Sequence, residues 1–216
     1  VPRAGVNSLG GRSFGLMRSL HKQGYRCVII TSSGPQGSAG GEYSLEEVDG
    51  VLVCRVPTPP HSGGKSLKRV GGWLSFERRL RQLPENLLHH HDVVIVSSLS
   101  LLTVENGIWL SRRYSCPWVF EVRDIWPLTL TEEGDFSRHN PLVIALGLVE
   151  RRGYRKADAI VGTMPNLGEH VTRVMGRRRP TFCIPMGVDD RALSVSVPLP
   201  QQYIDENLPK GKFIVG

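Results

Sequence analysis

The chain has 216 residues, 40% hydrophobic and 22% charged, the proportions of a soluble globular protein rather than a disordered, collagen-like or coiled-coil one. No run approaches the roughly 18 uninterrupted apolar residues of a membrane span, and the opening VPRAGVNSLGGRS lacks the apolar core of a signal peptide. Lysine and arginine outnumber aspartate and glutamate 27 to 20, which points to an anionic partner: nucleic acid, a phosphorylated ligand or an acidic membrane surface.

The first element is a helix in SLGGRSFGLMRSLHKQ, opened by Gly10 and Gly11. Residues 1–8 run straight into this turn, so the strand expected to feed it is read as lying upstream of Val1. Two glycines at a helix start let a ligand come close to the backbone, where unpaired N–H groups and the positive dipole end favour phosphate. Arg12 adds a guanidinium suited to a bidentate phosphate contact. The same glycines equally suit a plain tight turn, and no G-x-G-x-x-G dinucleotide fingerprint is present.

Strands are predicted at 26–31 (RCVIIT) and 50–56 (GVLVCRV). Between 65 and 83 lie six basic residues, Lys65, Lys68, Arg69, Arg78, Arg79 and Arg81, against one acid, Glu77. Leu67, Trp73, Leu74 and Phe76 are interleaved with them, and Gly71-Gly72 is read as interrupting the helix. Basic residues among large apolar ones suit an anionic bilayer surface, with Trp73, Lys65, Lys68, Arg69, Arg78 and Arg79 facing it. An ordinary core-packed helix with a solvated basic face fits the same residues. No helix-turn-helix, RNA-binding aromatic stretch or zinc finger accompanies them, so nucleic acid is not expected as a partner.

Further strands are predicted at 92–98 (DVVIVSS), 118–122 (WVFEV), 158–163 (DAIVGT) and 181–185 (TFCIP). They are nearly continuous in apolar residues, as parallel strands covered on both faces require. Ser97 and Ser98 end the first of these, and the second delivers Glu121, Arg123 and Asp124 to its carboxyl edge, followed by Trp126-Pro127. Arg123 and Asp124 are placed to touch substrate, or else to form a structural pair closing the sheet edge. Asn140 as N-cap and Pro141 at the first helical position open a helix whose buried face is read as Leu142, Ala145, Leu146 and Val149. Thr163 and Asn166 occupy another strand-to-helix turn, His170 is read as a satisfied surface histidine, and Arg177-Arg178-Arg179 as a solvated loop.

The four cysteines show no CxxC and no short Cys/His spacing, so no zinc site is expected. Cys27, Cys54 and Cys183 lie in apolar, β-prone runs as small buried hydrophobes, and a reducing cytoplasm fits them. Alternating strands and helices give an α/β class: a Rossmann-like, doubly wound, mainly parallel sheet with helices on both faces, binding ligands beyond the carboxyl ends of its strands. Residues 1–190 are read as this domain, 191–212 as a linker, and Phe213 to Gly216 as the first strand of a second domain.

The order of segments carries a resemblance. A glycine pair before the first helix, LHKQGYRCVIITSS, EVRDIWP, ERRGYRKADAIVGTMPN and IPMGVDD together are similar to the amino-terminal domain of a family 4 glycosyltransferase of the GT-B fold, in the flavour that builds bacterial surface polysaccharide. The resemblance covers about residues 7–190. It implies two Rossmann-like domains across a cleft, the first receiving the acceptor and the second holding most of the nucleotide-sugar donor, with this chain supplying the first. It implies glycosyl transfer with retention, with no metal and no cofactor, the leaving nucleotide diphosphate being stabilised by positive groups and helix N-termini.

By the same resemblance Gly10 and Gly11 lie against the donor diphosphate; with Arg12 beside them as a phosphate contact, the residues at the strand ends, Ser97, Ser98, Glu121, Trp126, Thr163 and Asn166, are read as lining the acceptor side of the crevice. Arg123-Asp124 stands where many members carry His-Asp, so a phosphate contact replaces the histidine's role. Met186 stands where the usual I-P-N-G-V-D has asparagine. The implied partners are a nucleotide sugar, a lipid-linked or other saccharide acceptor, and an anionic membrane surface at the cytoplasmic face. A non-catalytic membrane-peripheral module that holds an anionic lipid or partner, and a nucleotide-sugar epimerase of the same two-domain plan, are the competing readings.

Overall fold

The computed structural model describes residues 11–33, 42–59, 67–88, 91–98, 100–132, 136–187 and 201–207, with side chains omitted at 67–70, 88, 203 and 207. Residues 1–186 form one compact unit and 187–216 another. Among the residues singled out above, Gly10, Lys65, the side chains of Lys68 and Arg69, most of the expected linker and the expected strand at 213–216 fall outside the described residues.

Seven strands are described, β1 (Val28–Ser32), β2 (Ser44–Val48), β3 (Val51–Val56), β4 (Val94–Ser97), β5 (Trp118–Val122), β6 (Ala159–Gly162) and β7 (Thr181–Cys183). The helices are α1 (Arg12–Lys22), α2 (Leu67–Leu80), α3 (Glu85–Leu88), α4 (Thr103–Tyr114), α5 (Leu128–Glu132), α6 (Pro141–Lys156), α7 (Leu167–Met175) and α8 (Gln201–Asn207). The α/β class holds, but among the described residues the strands form two sheets: a mixed one ordered β1-β3-β2 and a parallel one ordered β4-β5-β6-β7.

Strand β2 is an addition to the strands expected from sequence. It pairs antiparallel with β3 through Asp49 and Gly50, both at positive φ (50° and 78°), the conformation that makes Asp-Gly the strongest short hairpin signal. Its sequence SLEEV keeps four of five residues exposed, so the strand lacks the apolar run by which the others are recognised. Any side chain at 50 would also meet the ring of His21 at 2.0 Å.

Helices cover both faces of the mixed sheet. Alternation along β3 sends Val51 and Val53 to α1, where Phe14, Met17 and Leu20 pack, and sends Cys54 and Val56 to Leu80, Leu83, Leu87 and Leu110 on the other side. On β5 the same period-two rule points Trp118, Phe120 and Val122 into the main core with Val104, Ile108, Tyr154, Ile160, Leu167 and Val171. Each such buried side chain contributes on the order of 1.5–3 kcal/mol. Glu121, between Phe120 and Val122, is thereby turned to the opposite face.

Three expectations need correction. The inward face of α6 is Val143, Glu150, Gly153 and Tyr154, with Val149 of the expected stripe packed against the core, whereas Leu142 is 51% exposed and Ala145 is exposed. The helix is rotated because it seats Gly153 against Phe120 and Val104. Strand β7 is an edge strand, so Phe182 is exposed and Cys183 is an exposed free thiol, whereas Cys27, Cys54 and Cys116 are buried, their thiols pushed up by desolvation. Helix α2 runs unbroken through Gly71-Gly72, its later turns held by Phe76 and Leu80 in the core. The second unit contains α8, braced by Gln201–Asp205 and Gln202–Glu206 bonds, within the stretch 191–212.

Candidate functional site

The carboxyl ends of β4, β5 and β6 and the start of α1 carry the residues expected to bind ligand. Glu121 is 3% exposed, and its Oε1 accepts from Nε of Arg12 at 2.7 Å. Nη1 of Arg12 donates to the carbonyl of Pro185, also at 2.7 Å. One guanidinium thus ties the first turn of α1, the end of β5 and the loop after β7. Its third nitrogen, Nη2, is buried without a partner among the described residues. Arg12 therefore does not offer the free fork expected from sequence; two of its donors are committed inside the protein.

Gly11 is the N-cap of α1, with φ −112°. An added Cβ there would meet no described atom within 4 Å. Neither backbone strain nor packing among the described residues demands glycine at this position, and the first-turn N–H groups of α1 have no partner within the helix.

Ser98 is fully buried. Its hydroxyl accepts from the backbone N–H of Arg123 at 3.0 Å, and its own N–H donates to the carbonyl of Glu121 at 2.9 Å. It is a positioning residue that holds the turn out of β5, and its hydroxyl faces no cleft. Ser97, by contrast, has a buried Oγ with no partner among the described residues. The half-buried side chain of Arg123 and the exposed one of Asp124 make no hydrogen bond or ion pair among the described residues, so the closing Arg–Asp pair is not formed. Arg123 is the available cation at this edge.

Trp126 precedes Pro127 through a cis peptide bond. Its ring stands edge-on to that of Trp73, centroids 6.4 Å apart at 80°, and its buried Nε1 has no partner among the described residues. Trp73 is therefore packed against the 123–127 turn. Of the other residues read as membrane-facing on α2, Arg78 is exposed and Arg79 half-buried. Thr163 follows β6 and is half-buried, and Asn166 is exposed at the start of α7 without a side-chain cap bond.

Two polar constellations lie beyond what the sequence led us to expect. Between α6 and α7, Oε1 of the buried Glu150 accepts from the Tyr154 hydroxyl at 3.0 Å and lies 2.8 Å from Nε2 of His170. Burial and the neighbouring carboxylate push the Tyr154 hydroxyl far up. The i, i+4 spacing of Glu150 and Tyr154 is a usable signal; the reach to His170 leaves none. Between α2 and α4, Asn106 donates to the carbonyl and the carboxylate of Glu77 and accepts from Nε of Arg81 at 2.6 Å. Desolvation pushes Glu77 up from 4.5 to about 7, against the lowering effect of Asn106 and Arg81. Arg179, read as part of a solvated loop, instead donates to the carbonyls of Tyr154 and Ala157.

Among the described residues no group of three or more His, Cys, Asp and Glu side chains is arranged to hold a metal ion, and no helix is long and apolar enough to cross a membrane.

Comparison with known proteins adds an independent finding. The family profile described as "Glycosyl transferase 4-like domain" matches residues 12–187. Among solved structures the chain is similar to sucrose-phosphate synthase from Thermosynechococcus elongatus, with a TM-score of 0.61 and 16% identity over 93% of this chain and 48% of that one. A second sucrose-phosphate synthase structure from the same organism gives 0.46 and 14%, over 83% of this chain and 86% of that one. The chain thus spans about half the length of the first, and at this identity the likeness is one of fold. No curated protein matches.

Proposed function

The chain belongs to the glycosyl transferase 4-like family, and from that premise we propose that it is the acceptor-side half of a retaining glycosyltransferase. In this reading the enzyme moves a sugar from a nucleotide-sugar donor to a lipid-linked saccharide in the assembly of cell-surface polysaccharide, at the cytoplasmic face of the membrane. The observation that carries the reading is the set of donors at one strand edge that have no partner among the described residues: the helix start at Gly11, Nη2 of Arg12 and the guanidinium of Arg123. Such groups stabilise charge developing on a departing diphosphate because they are fixed in place before the reaction. Ser97 and Trp126, at the same strand edge, line the acceptor side in this reading. The donor's nucleoside is held by a second domain of the two-domain plan, and 191–212 serve as the connection.

The test is a transfer assay with a panel of nucleotide sugars and lipid-linked acceptors, using the protein together with its donor-binding half. Transfer with the anomeric configuration kept supports the reading, and the 216-residue chain alone should transfer nothing, because catalysis requires both halves to position the reacting atoms. Interconversion of the nucleotide sugar without an acceptor would make the protein an epimerase, and absence of both activities would leave it a binding module.

A further inference from the structure

The outer face of α4 carries a groove. Ile108 and Trp109 form its floor, Arg81, Arg112, Arg113 and Arg152 surround it, and Glu105 stands at one side, around a volume of about 460 Å³. A second hollow of about 440 Å³ adjoins it and shares Arg81 and Glu105. Helix α4 runs back from the end of β4, so at about 1.5 Å per residue Arg112 lies roughly 13 Å along the axis from Thr103 and the strand ends. A ligand here is not the one held at the start of α1.

The arginines are arranged beyond what surface solvation requires. Arg81 and Arg113 both lie over the ring of Trp109, at 5.6 and 5.5 Å from its centroid, and Trp109 is anchored against the core beside Leu110. Asn106 fixes Arg81 through its Nε, while the outer nitrogens of that fork have no partner among the described residues. Arg152 is paired with Glu105 at 2.6 Å, and Arg113 with the exposed Glu85. Arg112 is exposed and has no hydrogen bond or ion pair among the described residues. Four guanidiniums face two carboxylates, and burial pushes Glu77, packed behind Arg81, up to about 7, so at neutral pH it carries only part of a charge. The groove is therefore cationic, concave and stiffened by an aromatic platform.

We propose that this groove is a second, non-catalytic phosphate-binding site, taking the phosphate groups of a soluble polyphosphorylated compound or of a phospholipid headgroup. Guanidinium forks match phosphate oxygens in pairs and shed water more readily than ammonium groups. Stacking on Trp109 restrains two of them before any ligand arrives, which lowers the ordering cost of binding. The inference is independent of the sugar-transfer reading, since it invokes none of the crevice residues.

Inorganic pyrophosphate is the first probe, monitored by titration calorimetry of the purified protein. Vesicles of phosphatidylcholine with and without phosphatidic acid are the second, monitored by co-sedimentation. The variant is R112Q/R113Q, whose side chains lie on the surface, with circular dichroism to verify its fold. The single variant R112Q, at an exposed side chain with no hydrogen bond or ion pair to lose among the described residues, stands in if the double variant fails to fold. Binding to either probe that the double variant weakens by at least about tenfold supports the proposal. Pyrophosphate binding identifies a soluble ligand and vesicle binding alone a headgroup. R123A should leave this binding intact. Absence of saturable binding to both probes, or binding that R112Q/R113Q leaves unchanged, overturns it.

Discussion

The guanidinium of Arg12 lies 2.7 Å from the carboxylate of Glu121, with the two side chains only 6% and 4% exposed. Such a pair costs desolvation on both sides, and its stability rests on the two charges being present together. Arg12→Met should therefore cost about 3–5 kcal/mol by leaving a buried carboxylate unpaired, while Arg12→Met with Glu121→Leu should recover much of the loss. Urea unfolding of the two variants decides it. A double variant no more stable than the single one would mean that the pair contributes through the Pro185 contact instead.

Glu77 gives the fold a pH dependence of known sign. Its carboxyl is raised from 4.5 to about 7 by burial, so between these values the folded protein holds a proton that the unfolded chain has released. Stability contributed by this group is full below about pH 4.5, falls as pH rises through the window, and levels off above about pH 7. The total is on the order of 3 kcal/mol at 1.36 kcal/mol per unit. Glu77→Gln, whose amide oxygen still accepts from Asn106, should flatten the Tm profile between about pH 5 and 8 and raise Tm at the alkaline end. Parallel profiles for the two proteins would exclude the burial described for Glu77.

Trp73 and Trp126 meet edge to face across α2 and the turn after β5. An aromatic pair of this geometry contributes about 0.5–1.5 kcal/mol beyond its area. A double-mutant cycle with Trp73→Leu and Trp126→Leu should show a coupling energy in that range. If α2 instead presented Trp73 to a membrane, the coupling would vanish and Trp73→Leu alone would weaken vesicle binding.

What the sequence disclosed follows the physics of each signal. Strand β5 was legible to the residue because Trp118–Val122 is an apolar run, and the start of α6 because Asn140 caps it by accepting from the N–H of Leu142 at 2.9 Å. Strand β2 was not, since an exposed edge strand needs no apolar residues and SLEEV has few. The crevice edge was found because carboxyl ends of parallel strands are where ligands sit; the pairing of Arg12 with Glu121 was not, because 109 residues separate the two in sequence. Local pattern carries propensity and periodicity, whereas a buried charge pair is a tertiary event. The groove on α4 escaped for the same reason: Arg81 in the turn after α2, Arg112 and Arg113 on α4 and Arg152 on α6 share no sequence motif.

Arg123 separates a site from a scaffold. Its backbone N–H is held by Ser98, but its half-buried side chain has no partner among the described residues, so truncating it should change stability by no more than about 0.5 kcal/mol. On the proposed transfer reaction, a guanidinium at this edge binds the diphosphate or the charge that develops on it. Arg123→Ala should then lower kcat/KM by on the order of 100-fold, the scale of one lost oxyanion contact. Arg123→Lys should restore only part, because an ammonium lacks the planar fork. Ser98→Ala provides the complementary control: it releases the backbone of the same turn, so it should lower both Tm and activity, whereas Arg123→Ala moves activity alone. A variant at 123 that melts several degrees earlier with kcat/KM nearly unchanged would retire the residue from the site and leave the turn at Gly11 and Nη2 of Arg12 as the phosphate contacts.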